Sequence, residues 1–109
     1  MRIVIFKHSK DSFLQALDAA GITFEEEKPE AGQIMASGAL VTVAQTAAIA
    51  GAIASVLVAW IKARASRKII LTLKDGTIVH LEGESVERVE ELVPLVQRAD
   101  VIDTEASDK

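Results

Sequence analysis

The chain has no cysteine and no tyrosine, and only three phenylalanines, one tryptophan, two prolines and two histidines. Each scarcity excludes something. Without cysteine there are no disulfides, thiolate metal sites or cysteine nucleophiles, which fits a reducing compartment. His8 and His80 are the only histidines and show no H-x-x-x-H spacing, so a metal site has no support. With so few rings, the core has to be built from Val, Ile, Leu and Ala. Positive charge is scarce as well: 12 Lys and Arg stand against 16 Asp and Glu, a net charge of −4. A nucleic-acid binder carries a basic footprint, so none is expected as a partner. The opening "MRIVIFKHSKDS" does not read as a secretory signal, because charge at Lys7 interrupts its apolar run at once.

What is present is a chain of 109 residues, half of them apolar and 26% charged. That balance belongs to a globular domain. The length fits a single domain, 1–109, with 103–109 expected to be a flexible tail. "RIVIF" (Arg2 to Phe6) reads as a strand. Ser9 is placed to cap a helix through "KDSFLQALDAA", with apolar Phe13, Leu14 and Leu17 on one stripe and Gly21 at its end. "ITFEE" reads as a second strand and "EKPEAGQIMASG" as a loop. "RKIILTLKDGTIVHLEG" carries hairpin chemistry at Asp75-Gly76. A three-residue turn of Lys74, Asp75 and Gly76 pairs Leu73 with Thr77, Leu71 with Val79 and Ile69 with Leu81. This register gathers the apolar residues on one face, and a one-residue slip scatters them. Ser85 is placed to cap a third helix, "VERVEELVPLVQRA", bent at Pro94. "DVIDT" reads as a last short strand. The predicted order is strand, helix, strand, long helix, hairpin, helix, strand: an α+β domain with a small mixed sheet and one long apolar helix.

That long helix, predicted from about Ala39 to about Ser66, dominates the sequence. From Ala39 to Ile61 it has no charge; Lys62, Arg64, Arg67 and Lys68 follow. Two readings compete. The uncharged run exceeds the ~20 residues a bilayer core needs, and Trp60 with its basic flank resembles a membrane boundary. Yet its 23 residues include eight alanines and only nine Leu, Ile or Val. At ~0.3–0.6 kcal/mol each, those nine supply at most ~3–5 kcal/mol toward insertion. In water, a helix of about 27 residues is ~40 Å long, twice the ~17–20 Å of a typical strand. Its apolar surface would then need a second copy or a partner. Ala47, Gly51, Ser55 and Ala59 recur every fourth residue and form the predicted helix interface, because small residues allow close backbone approach.

Catalytic chemistry is thin. "HSKDS" (His8 to Ser12) holds His, Asp and Ser, but triad members usually converge from separate elements. His80 is expected to face outward from the hairpin. "GQIMASG" lacks the lysine and spacing of a phosphate cradle. The basic cluster Lys62, Arg64, Arg67 and Lys68 suits a helix C-terminus. Glu82, Glu84, Glu87, Glu90 and Glu91 form an acidic counterpart. No catalytic residue, cofactor or metal is expected.

The segment from Ala54 to Val93 resembles the effector-associated constant component family of bacterial conflict systems. The residues that carry the likeness are Leu57, Trp60 and Ile61, then Arg64 and Arg67, then Asp75 and Gly76 at the hairpin turn. The resemblance implies a non-catalytic accessory role, with an effector or toxin as protein partner. The expected function is therefore a protein-interaction module, self-associating through its long helix, in an accessory or immunity role in the cytoplasm. The alternative is a single-pass inner-membrane protein with a cytoplasmic C-terminal domain.

Overall fold

In the computed structural model, the structure describes residues 1–6, 9–27, 39–44 and 46–103. Six strands form one mixed sheet: β1 (Arg2–Ile5), β2 (Phe24–Glu27), β3 (Ala39–Val43), β4 (Arg67–Leu73), β5 (Ile78–His80) and β6 (Val96–Asp103). The helices are α1 (Lys10–Ala19), α2 (Ala47–Lys62) and α3 (Val86–Leu92). The sheet order is β2-β3-β1-β6-β4-β5. The β1–β6 pair is parallel, and every other neighbouring pair is antiparallel. The predicted α+β class with a mixed sheet is what the chain adopts.

Alternation gives the sheet two unlike faces. Ile3, Ile5, Val41, Val43, Ile69 and Leu71 are buried on one of them. They join a single apolar cluster with Phe13 and Leu17 of α1, Ile53 and Leu57 of α2, and Val89 and Leu92 of α3. The opposite face carries Arg2, Lys68, Thr72, Arg98 and His80, with Phe6 and Ile78 exposed beside them.

Local chemistry sets several boundaries. At the end of α1, Gly21 takes φ +74°. Its N–H donates to the Asp18 carbonyl, and the Ile22 N–H donates to that of Leu17. This is a Schellman cap, sealed by buried Leu17 and Ile22. The Ser85 hydroxyl accepts from the Arg88 N–H at 3.1 Å and starts α3. Ser9 precedes α1 as expected, but its hydroxyl donates to the Val101 carbonyl rather than capping the helix. The hairpin has the predicted register: Leu71 faces Val79, and the Leu81 N–H donates to the Ile69 carbonyl. Gly76 is left-handed at φ +93°. The Thr77 N–H donates to the Asp75 carboxylate at 2.9 Å and holds that carboxyl below its usual range.

Three expectations are corrected. The long helix is shorter: α2 has 16 residues, about 24 Å of rise. Its expected N-terminal part, Ala39–Val43, is instead strand β3 between β1 and β2. The β-branched Val41, Thr42 and Val43 alternate across the sheet and complete hydrogen bonds that no helix would satisfy. Among the described residues, no helix is long and apolar enough to cross a membrane. The premise that the sheet cannot cover this helix goes with the lost length.

The third helix is also shorter. It stops at Leu92, and Pro94 lies in a 3-10 turn, Val93–Leu95. From Val96 the chain becomes β6, an interior strand eight residues long. The register shifts between Thr72 and Leu73 of β4, which face Arg98 and Val96. The additional residue, Gln97, puts Val96 and Ala99 both inside. Their three-residue spacing imitates a helical stripe. Asp103, expected in the tail, closes β6 and is buried.

Candidate interaction groove beside the second helix

Helix α2 is apolar on nearly every side, yet it is not buried on every side. Ile53 and Leu57 face the sheet, flanked by buried Ala50, Ala54, Val56, Val58 and Trp60. The outer arc is Ala48, Ala52, Ser55, Ala59 and, at the C-cap, Ala63, all exposed. Their spacing of four, three, four and four follows a true 3.6-residue turn. The predicted interface, Ala47, Gly51, Ser55 and Ala59, keeps a strict spacing of four. It therefore drifts by about 40° per step around the cylinder. Ser55 and Ala59 are on the open arc. Gly51 has turned toward α3, where the Glu90 carboxyl carbon is 3.4 Å from the position a Cβ would take. The side chain of Ala47 lies outside the described residues. The structure thus brings two of the four onto the open face.

On its other flank the arc meets α1 across a groove of about 700 Å³. Ala16, Ala19, Ala52 and Val56 form the walls, and Ser12, Trp60 and Arg67 close one end. That end is built by polar contacts among distant elements. The Trp60 indole N–H donates to the Ser12 hydroxyl at 3.1 Å. The Phe13 ring meets Trp60 edge-on, with centroids 5.5 Å apart. The Arg67 guanidinium lies 4.5 Å above the Trp60 ring. Its Nη1 donates to the Trp60 carbonyl at 3.0 Å and its Nε to Asp103 at 3.2 Å. The Ser66 hydroxyl donates to the same carboxylate at 2.6 Å. Both charges of the Arg67–Asp103 pair are mostly withdrawn from water, with 11% and 1% of the side chains exposed.

The four basic residues do not form one patch. Lys62 and Arg64 are exposed at the end of α2. Arg67 turns inward to Asp103. Lys68 alternates to the open sheet face, opposite Ile102. Of the acidic set, Glu87, Glu90 and Glu91 surround a second hollow beside Ala50 and Pro94, between α2 and α3. His80 is exposed on β5 as expected, and His8 lies outside the described residues. Among the described residues, no three His, Asp or Glu side chains are grouped to hold a metal ion.

Sequence reasoning missed the Ser12–Trp60–Arg67–Asp103 assembly. A signal was present. Arg67 shares the inward parity of Ile69, Leu71 and Leu73, and Asp103 that of Val101 and Ala99. An inward cation and an inward anion on two strands are a pair once those strands are neighbours, and Arg67 faces Asp103 in the ladder.

The class defined by this architecture is a two-layer α+β domain, with three helices on one sheet face and an uncharged helical surface left outside. The model of the Effector Associated Constant Component 1 family matches residues 16–100, most of the chain, and the protein belongs to that family. The likeness seen between Ala54 and Val93 therefore extends well beyond that segment, from α1 into β6. Membership associates the chain with the effectors of bacterial conflict systems. No curated protein and no solved structure matches the chain.

Proposed function

We propose that this protein is a non-catalytic interaction module in the cytoplasm. In this reading it self-associates through α2 and serves an effector in an accessory or immunity role. The observation that carries the reading is the outer arc of α2. Five small, uncharged residues run its whole length, where a solvent-facing helix ordinarily carries Lys and Glu. The groove against α1 widens this surface without adding a carboxylate to it. Family membership supplies the effector association, and the scarcity of histidine and absence of cysteine support a role without catalysis.

The test compares two substitutions in cells where the chain has a measurable effect on its effector. Ala59→Arg places charge on the open arc and is expected to abolish the effect while leaving the circular dichroism spectrum unchanged. His80→Ala is expected to leave the effect intact. The opposite pattern, loss with His80→Ala and full function with Ala59→Arg, refutes an interaction module built on α2.

A further inference from the structure

The surroundings of the groove are electrically polarised along α2. Lys62 and Arg64 are exposed at its C-terminal end, and Arg67 closes the groove there. Beside its N-terminal half lie Glu87, Glu90 and Glu91 of α3, next to Ala50 and Gly51. Between these ends the arc has no charge. From Gly51 to Lys62 is 11 residues, about 16 Å of helix. That exceeds the screening length of ~8 Å at physiological ionic strength, so the two ends scarcely interact within one molecule.

We infer that the occupant of this face is a second copy of the chain, packed antiparallel across a two-fold axis that passes close to Ser55. The inference rests on the self-association reading and specifies its geometry. A two-fold axis perpendicular to α2 reverses the helix. It sets Lys62 and Arg64 of one copy beside Glu87 and Glu90 of the other, and does so twice. An axis along the helix would set basic end beside basic end and bring the acidic flank across from the partner's α1 rather than its basic end. Charge complementarity therefore selects the antiparallel arrangement. The small residues at Ala52, Ser55 and Ala59 let the two helices approach closely at the centre. The facing strips of α2, each about 24 Å long and 10 Å wide, offer about 240 Å² per copy, or about 480 Å² in total. That is about half of the ~1,000 Å² a specific interface needs, so the α1 wall of the groove and the charged flanks share the contact, and the dimer is a weak, reversible one that salt weakens.

Sedimentation equilibrium of the full chain over a concentration series tests this. Wild type is expected to pass from monomer to dimer. Lys62→Glu with Arg64→Glu is expected to raise the dimer dissociation constant roughly tenfold, because each lost pair counts twice. Glu87→Lys with Glu90→Lys is expected to do the same. Combining all four substitutions should restore dimerisation, which only contacts between copies can do at such separations. All four positions are exposed, so folding is retained. A dimer that ignores the reversals, or that the combined variant fails to restore, overturns the antiparallel geometry and leaves self-association standing. A wild type that stays monomeric at every concentration overturns both.

Discussion

Helix α2 has two seams, and they are built differently. Toward α3, the Glu90 carboxyl carbon lies 3.4 Å from the position a Cβ on Gly51 would take, and Ala50 and Ala54 are buried. Toward α1, alanines of similar size leave a groove of about 700 Å³. Small residues alone therefore do not decide whether a seam closes. What differs is the larger side chains around them. Val89, Leu92 and Val93 fill the space beside α3. At the α1 seam, the large contacts are gathered at one end, where Phe13, Trp60 and Arg67 meet. Beyond that anchor the lining is mostly small: Ala16, Ala19 and Ala52, with Val56 the largest apolar side chain among them. The α3 seam is closed over Ala54 and keeps a hollow rimmed by glutamates beside Ala50, whereas the α1 seam is an open groove without a carboxylate.

Four substitutions break or sharpen that contrast. The largest effect is expected from Trp60→Ala. It removes a buried ring, its contact with Phe13 and the platform under Arg67, so a loss of about 3–5 kcal/mol is expected in chemical denaturation. A loss below ~1 kcal/mol would mean that α1 is held by something other than this anchor. Next is Ala54→Leu, one turn on from Ala50 at the closed seam. Overpacking there should cost about 1–3 kcal/mol by the same measurement. Gly51→Ala should act in the opposite direction. The new methyl meets only the movable end of Glu90, and alanine is the better helix former, so a gain of about 0.5–1 kcal/mol is expected. If Gly51→Ala is destabilising instead, the closed seam is tighter than the 3.4 Å contact indicates. The smallest effect belongs to Ala59→Leu at the open seam, where stability should stay within about 0.5 kcal/mol of wild type. Equal costs for Ala54→Leu and Ala59→Leu would erase the distinction between the seams.

How much of this was legible in the sequence depended on punctuation. Asp75-Gly76 and clean alternation fixed the hairpin register to the residue. Gly21 and Ser85 marked a helix end and a helix start. Where punctuation failed, so did the reading. Between Ala39 and Ile61 no charge separates strand from helix, so β3 and α2 merged into one run. At β6 the additional residue Gln97 turned a strand's period into a helix-like spacing. The groove's closed end was hidden for another reason. Ser12, Asp103 and the Trp60–Arg67 pair are far apart in sequence, and their meeting depends on β4 and β6 being neighbours. The predicted stripe found Ser55 and Ala59 because those two steps straddle the middle of the open arc. It lost Gly51 because a spacing of four outruns the helical turn.

The proposal most open to test is that self-association runs through the outer face of α2 rather than the outward face of the sheet. The chain's lack of cysteine makes a clean measurement available. Ser55→Cys places a single thiol at the centre of the open arc, and Thr72→Cys places one on the face of the sheet turned away from the helices. A symmetric disulfide requires Cα atoms about 4.4–6.8 Å apart, so it forms readily only near a two-fold axis. Under mild oxidation at equal concentration, the Ser55→Cys protein should run as a covalent dimer while the Thr72→Cys protein remains monomeric. Cross-linking through position 72 with none through position 55 would contradict the claim and move the interface to the sheet.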